Sequence, residues 1–348
     1  MRLLIVTQSV DRNDPNLGAF YYWFEALARK TESLVILAGR VGDADFPPHV
    51  EVYSFGGARR GGRLGRVWKF WRLFFRHFAR VDAVFFHQIP EFVIAASPLF
   101  IGRRKISALW YAHGQVTPRL RFAERCVDYV FTSSLDGFRV PSKKVIVLGQ
   151  AINTDLFQPS ADRHHPSANG AVRLLTIGRI SPVKHYETII NACAILKTTW
   201  DRSFTRSIVG GPLRAGAREY LERLRALVAG KGLSAHIRFG GERPFSEIPD
   251  ILRAHDLFLS VSRTGSLDKV VLEAMACGLT VLTSNDAYRT ILPPPYFLEK
   301  VGPELLAEQI QGGADEPHQH QKLRDIVVRG HALAQTIERL YAYLSTPV

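Results

Sequence analysis

The stretch Arg173-Leu174-Leu175-Thr176-Ile177-Gly178-Arg179-Ile180-Ser181-Pro182-Val183-Lys184 passes from an apolar run, through a glycine, to the threshold of a helix-period segment at 185–197. A short run of branched apolar residues reads as a buried strand. Gly178 lets the chain turn sharply after it, and the helix start beyond presents N–H groups without intrahelical partners, which favour an anion. Arg179 and Lys184 set two cations at the same turn, as a diphosphate would require. An ordinary βα loop with two solvated cations reads the same way. The segment establishes strand, turn and helix, and leaves its chemistry open.

The same alternation extends in both directions. Downstream, strand-like runs at 206–209, 236–239, 257–261 and 280–283 alternate with helical segments at 218–231, 247–254 and 269–277. Upstream, runs at 3–7, 34–38, 83–87, 107–111, 129–132 and 145–148 are accompanied by helical segments at 19–30 and 63–80. Alternation of this kind predicts parallel sheets with helices on both faces. Residues 158–170, rich in Pro, Ser and Gly and without periodicity, read as a linker. Two doubly wound α/β domains are therefore predicted, at 1–160 and 161–327, with ligands expected in a cleft at the carboxyl ends of their strands. The helical segment at 321–344 has no following strand. Residues from about 328 to 348 are expected to cap the second domain or to return to the first.

Composition narrows the function classes. The chain has 348 residues, 46% of them hydrophobic, enough for two folded cores and too apolar for disorder. Its formal charge is +13, and residues 1–170 carry 23 basic and 14 acidic side chains, an excess that suits nucleic acid, phosphate or an acidic lipid surface. Cys126, Cys193 and Cys277 are too few and too scattered for a disulfide framework or a zinc site, and fit reduced thiols in the cytoplasm. The four-residue apolar run after Arg2 is too short for a signal peptide, and no stretch reaches the roughly 18 apolar residues of a membrane span. Asp43-Ala44-Asp45 has the form of a metal-binding pair but sits in a loop away from the cleft elements. There is no Gly-x-Ser-x-Gly hydrolase elbow and no recognised nucleic-acid module.

Two further segments repeat the chemistry of the first. Gly210 and Gly211 follow a strand and would clear room for a bulky group, although Gly-Gly-Pro also marks ordinary turns. In 262–278, a small polar loop leads into a short helix stopped by Gly278. Ser266 or Asp268 is expected to cap that helix and leave further N–H groups for phosphate. Glu273 suits the two hydroxyls of a ribose, or is a surface residue. Its neighbours Leu272, Ala274, Met275 and Ala276 argue against free solvation.

In this order and spacing, the three segments resemble the C-terminal domain of glycosyltransferase family 4. The resemblance implies a retaining enzyme of the GT-B fold, in which two Rossmann-like doubly wound domains face a cleft. Gly178, Arg179 and Lys184 meet the family's Gly-Arg-x4-Lys, implied to hold the donor diphosphate. Gly210 and Gly211 meet its glycine-rich turn, and 273–278 meets Glu-Ala-Met-Ala-x-Gly, with Glu273 implied to bind the donor ribose. Residues 150–159 resemble the segment before the family's domain linker. One departure is Gly265, where the family usually has a second glutamate. The loop at 264–269, Thr-Gly-Ser-Leu-Asp-Lys, resembles a bacterial subgroup, in which the N–H groups of Ser266 and Leu267 and the side chains of Asp268 or Lys269 would take over the missing contact. In the first domain, His113 matches the position beside the donor sugar, although a lone histidine at a strand end is commonly structural. Gly18 matches a glycine loop near donor and acceptor, with one glycine where many members have two. His87, near Glu91, is a second candidate at a strand end.

The resemblance thus assigns catalysis to His113, Arg179 and Lys184. It implies a nucleoside diphosphate sugar as co-substrate, no cofactor and no metal, and a glycan or lipid-linked acceptor in cell-surface polysaccharide or lipopolysaccharide assembly. A non-catalytic binding relative and a nucleotide-sugar epimerase of the same fold remain open at this point.

Residues 58–80 contain eight Arg or Lys and no acid. On a helical wheel Leu64, Val67, Trp68, Trp71, Phe74, Phe75 and Phe78 share an arc of roughly 120°, the width of a buried face. Phe70 and Leu73 fall outside it, among Arg66, Lys69, Arg72 and Arg76. Apolar residues among cations mark an interfacial helix on anionic lipid, and Arg59, Arg60 and Arg63 extend the patch. The expectation is a cytoplasmic protein held peripherally on the inner face of the plasma membrane, with no nucleic-acid partner.

Overall fold

The computed structural model of the chain describes residues 1–56, 62–102, 105–160, 170–212, 216–262, 265–315 and 320–346. It divides into two units, the first comprising Met1–Asn153 with His331–Val348, the second Thr154–Gly330.

In the first unit the elements run β1 (Arg2–Val10), α1 (Gly18–Ala28), β2 (Ser33–Val41), β3 (Val50–Ser54), α2 (Gly62–Phe78), β4 (Ala83–His87), α3 (Pro90–Ala96), β5 (Ile106–Trp110), α4 (Pro118–Cys126), β6 (Tyr129–Thr132) and β7 (Val145–Val147). Seven parallel strands form one sheet in the order β3-β2-β1-β4-β5-β6-β7. The order reverses between β1 and β4. Both faces are buried, and successive side chains of β1 serve opposite cores. Leu3 and Ile5 join Trp23, Phe85 and Trp110 on one face, while Leu4 and Val6 join Phe74, Phe78 and Phe86 on the other. The short edge strand β3 escapes the sequence pattern because none of its residues is fully buried.

The second unit runs β8 (Val172–Ile177), α5 (Tyr186–Thr199), β9 (Phe204–Val209), α6 (Ala217–Gly230), β10 (Ile237–Gly241), α7 (Ile248–Arg253), β11 (Leu257–Ser260), α8 (Lys269–Ala276), β12 (Thr280–Thr283), α9 (Pro303–Asp315) and α10 (His320–Gly330). Its five parallel strands lie in the order β10-β9-β8-β11-β12, reversing between β8 and β11.

The single helix predicted at 321–344 is two. After α10 the chain passes Gly330 and His331, bridges Ile152 through Ala332, and forms α11 (Leu333–Ser345). Ile337, Leu340 and Leu344 of α11 pack with α1 in the core of the first unit.

Helix α2 forms as predicted but is rotated from its expected phase. Phe70 is 4% exposed and packs against Phe55, Phe74 and Phe92, and Leu73 is half-buried against the same core. Phe70, Phe74 and Phe78 make the buried stripe, spaced four residues apart. Leu64 is 85% and Trp68 64% exposed, and Val67 and Phe75 are exposed beside them. The assignment of Phe70 and Leu73 to an exposed face is therefore corrected. The wheel locates apolar residues but not the sheet, and the aromatic side chains of β3, α3 and the neighbouring strands draw in the Phe70 side. Arg66, Arg72 and Arg76 are exposed, and Lys69 is half-buried. Arg59 and Arg60 lie outside the described residues, as does the side chain of Arg63.

Candidate functional site

In an open parallel sheet, ligands bind at the carboxyl ends of the strands where the order reverses. In the second unit that point lies between β8 and β11. The turn from Gly178 follows β8, and the segment 265–268 follows β11 after residues outside the described set.

The Gly178 turn is clamped to its neighbours through the backbone. Gly178 N–H donates to Val209 O (2.9 Å), Ile180 N–H to Gly211 O (3.1 Å), and Gly210 N–H to Gly241 O (2.7 Å). Gly210 has φ +143°, and a Cβ there would fall 1.9 Å from the Gly178 carbonyl oxygen. Its glycine is required by the approach of one loop to the next. Tyr186, the first residue of α5, is buried and donates its hydroxyl to the carbonyls of Gly178 (3.0 Å) and Arg179 (3.3 Å). Burial pushes its phenol well above the usual tyrosine range, so it stays a donor. Arg179 is exposed.

Lys184 is half-buried and already engaged. Its Nζ lies 2.8 Å from Asp268 Oδ2 and 3.4 Å from Ser262 Oγ, and Ser262 Oγ donates to the same carboxylate oxygen at 3.2 Å. Asp268 holds the N-cap position of α8 but makes no capping bond through its side chain. The expectation that Asp268 caps this helix is corrected: its carboxylate turns to Lys184, the only nearby cation with which it forms an ion pair among the described residues. The loop itself is tied from β12 onward. Asn285 Nδ2 donates to Ser266 O (2.7 Å) and Tyr288 Oη to Asp268 O (2.5 Å). Leu267 is buried, and Asn285 and Tyr288 are fully so. Sequence reading passed over Asn285 and Tyr288 because their partners are brought together only by the fold; their one signal was a polar cluster at a strand's carboxyl end.

Glu273 stands one helical turn beyond Lys269 in α8 and is 4% exposed. Burial pushes its carboxyl up, opposed by the Lys269 charge, while burial pushes the Lys269 ammonium down, opposed by Glu273. The surface alternative for Glu273 falls. Gly265 has φ +67°, a left-handed conformation that suits glycine.

In the first unit the order reverses between β1 and β4. Gly18 opens α1, buried, with its N–H on Asp14 O (2.9 Å). Asp14 is 4% exposed; its carboxylate accepts from the N–H groups of Asn16 and Leu17 and from Ser9 Oγ, and pairs with Arg40. His113 is exposed beyond β5, with Nε2 3.3 Å from Gln88 Oε1. Gln88 adopts φ +67° directly after β4. His87 is not at an open edge. It is 1% exposed, bonded through Nδ1 to Thr7 Oγ1 (3.0 Å) and packed on Phe20, so its candidacy is corrected to a core role. Glu91 pairs with Arg119 at 2.7 Å. A cavity of about 740 Å³, which the sequence did not reveal, opens beside these loops, with Ser9, Arg40, Phe55, Arg66, Phe70 and Phe92 on its wall. Asp43 pairs with Arg12 (3.1 Å), and among the described residues no three His, Cys, Asp or Glu side chains gather as metal ligands.

The second unit's motif residues coincide with a known family. Residues 158–290 match the family described as Glycosyl transferases group 1. A D-inositol 3-phosphate glycosyltransferase of Thermobispora bispora is 31% identical over 174 residues, 47% of this chain and 40% of its own length. Another, from Jonesia denitrificans, is 29% identical over 153 residues, 41% of this chain and 36% of its own. The chain thus matches about two fifths of the length of these curated relatives. HepE of Anabaena, solved in complex with UDP and glucose, is 17% identical, and the likeness covers 99% of this chain and 100% of that one with a TM-score of 0.78. At that identity the likeness speaks for the fold, two Rossmann-like domains of the GT-B type.

Proposed function

We propose that this chain is a retaining, metal-independent glycosyltransferase of family 4, in the bacterial subgroup with a Thr-Gly-Ser-Leu-Asp-Lys loop. It would move a sugar from a nucleoside diphosphate sugar to a glycan or lipid-linked acceptor in cell-surface polysaccharide or lipopolysaccharide assembly. The observation that carries this reading is the meeting of the Gly178–Lys184 turn with the Asp268–Glu273 helix start at the β8/β11 reversal. Both lie within the matched family region.

In this reading Asp268 holds the Lys184 ammonium at the mouth of α8 until the donor diphosphate arrives. Arg179 and Lys184 then neutralise the charge that builds on the diphosphate as the glycosidic bond breaks and its electron pair passes to the leaving oxygen. Stabilisation of this kind acts on the transition state more than on the ground state. Glu273 receives the ribose hydroxyls, and its raised carboxyl pKa leaves it able to accept or donate. Ser266, Leu267 and Lys269 line the donor side, and Gly178, Gly210 and Gly211 bring the backbone close. His113 orients the sugar. An acceptor hydroxyl attacks on the face the diphosphate leaves, and its proton passes to the departing phosphate oxygen. The cavity beside Arg40 is the proposed acceptor pocket, and Gly18 shapes its approach.

Gly265 bears on whether the chain is an active variant or a silent relative. Its left-handed φ, which suits glycine, supports reading the loop as a variant built on glycine rather than a family loop with one side chain deleted. Exposed Leu64, Val67, Trp68 and Phe75 beside Arg66, Arg72 and Arg76 support peripheral docking on an anionic inner leaflet. A thermal-shift panel of UDP-, GDP- and ADP-sugars tests the donor reading. At least one should raise the melting temperature of the wild type and not of Arg179→Ala; no shift with any of them would defeat it.

A further inference from the structure

The core of the second unit holds a charge that the site as described does not use. Arg206, in β9, is 1% exposed. It lies in register with Leu174 of β8, and its Nη2 donates to Thr176 Oγ1, one pleat further along that strand. Thr176 donates onward to Leu259 O at 2.7 Å on β11. Among the described residues Nε and Nη1 of Arg206 have no hydrogen-bond partner. Among the described residues the Cys193 thiol and the Tyr186 phenol act on the guanidinium, and His255, whose pKa burial lowers, also feels its charge; no carboxylate is among these groups. Burial pushes its pKa down to about 10, which leaves it charged at neutral pH. A buried charge without a counter-ion weakens a fold, and apolar side chains of similar volume usually serve stability better. Stability therefore does not account for it.

Position does. Thr176 precedes Gly178 by two residues, which sets the guanidinium about 7 Å below the turn at the usual strand rise. Tyr186, which feels the Arg206 charge, holds the Gly178 and Arg179 carbonyls through its hydroxyl. The charge thus lies under the backbone that carries Arg179 and Lys184, with only neutral core groups around it. We propose that Arg206 is a buried electrostatic determinant of diphosphate affinity, raising the potential at the Gly178–Lys184 turn from within the domain and never touching the ligand. This rests on reading that turn as a diphosphate site. Over roughly 10 Å at an effective dielectric constant of about 20, a single charge acting on a doubly charged group changes affinity by about 10²-fold.

Calorimetric titration of wild type, Arg206→Met and Arg206→Lys tests it, with UDP, GDP and ADP, their monophosphates and their nucleosides as probes. For whichever diphosphate the wild type binds, Arg206→Met should weaken binding about 10²-fold, the monophosphate less, and the nucleoside not at all. Arg206→Lys should retain most of the affinity. The Met loss should persist at high salt, because a buried charge is poorly screened, and the Met variant should melt no lower than the wild type. Unchanged diphosphate affinity, or an equal loss for nucleoside and diphosphate, would overturn the proposal. Should Arg206→Met fail to fold, Arg206→Gln takes its place; failure of both while Arg206→Lys folds would show that the charge serves the fold, and would overturn it too. A wild type that binds none of the diphosphates is a separate result, in which the reading of the turn itself fails.

Discussion

Lys184 is the residue on which the site turns. Its ammonium is held by Asp268 and Ser262 at the start of α8, so in the proposed reading it would meet the donor diphosphate already oriented. Lys184→Ala should lower donor turnover by about 10²–10³-fold, the scale of losing one preorganised donor to developing charge. Circular dichroism and melting should stay near wild type, and steady-state kinetics reads the difference. Gly265 gives a second expectation. Restoring the family's glutamate by Gly265→Glu forces a side chain into a left-handed backbone, at a cost of about 1–2 kcal/mol, and should lower both stability and activity; a gain in activity would contradict a loop built on glycine. The glycines and cations of this site were legible in the sequence because backbone approach and anion charge make local demands. The Lys184–Asp268 pair, and the ties from Asn285 and Tyr288, were not, because they join loops that follow different strands. His87 was misread for a related reason: a strand end can face a helix as well as a ligand, and Phe20 of α1 covers it.

At the scale of elements, α2 and α11 carry separate expectations. Helix α2 has a buried stripe through Phe70, Phe74 and Phe78 and an exposed apolar strip with cations beside it. Trp68→Ser should leave melting unchanged and reduce recovery with anionic vesicles at low salt. Phe70→Ala should cost about 3–5 kcal/mol of stability. Equal flotation of the wild type with neutral and anionic vesicles would contradict the membrane reading. The helix was legible from composition and period, but its rotation was not, since apolar residues exceed what one face can bury. Helix α11 is joined to the first unit at a histidine. His331 Nδ1 accepts from Gln150 N–H (3.3 Å), and Ile152 N–H donates to His331 O (2.7 Å). Burial pushes the His331 pKa from 6.5 down to about 4. The unfolded chain therefore binds the extra proton between those values, so the stability His331 contributes is complete above pH 6.5 and is lost as the pH falls towards 4. The loss is at most about 3 kcal/mol. Melting curves across that range should fall less steeply for His331→Gln, whose amide oxygen can still accept; an unchanged slope would remove His331 from the account. The turn before α11 interrupts a segment whose helical period is otherwise continuous, so the sequence showed one helix where there are two.

For the whole molecule, alternation of short apolar runs with helical segments was enough to predict two parallel-sheet units, and each sheet reverses its order once. The Gly178–Lys184 turn and the 265–273 segment of the donor reading fall at one of those reversals, that between β8 and β11, and Gly210 and Gly211 follow the neighbouring strand β9. The excess of +13 distributes in the same way. Arg179 and Lys184 lie at the candidate site, Arg66, Arg72 and Arg76 on an exposed face of α2, and Arg206 in the core beneath the Gly178 turn. What the sequence left out was the cavity beside Arg40, because its wall draws on β1, β2, α2 and α3 at once. The central claim is transfer from an activated sugar, and nucleoside diphosphate release tests it most directly. Wild type and Lys184→Ala would be followed with UDP-, GDP- and ADP-sugars, with and without a lipid-linked glycan acceptor. The expected result is release from at least one donor by the wild type, accelerated by acceptor and reduced about 10²–10³-fold in Lys184→Ala. Binding without release from any donor would identify a silent relative, and release that Lys184→Ala leaves unchanged would place the chemistry elsewhere.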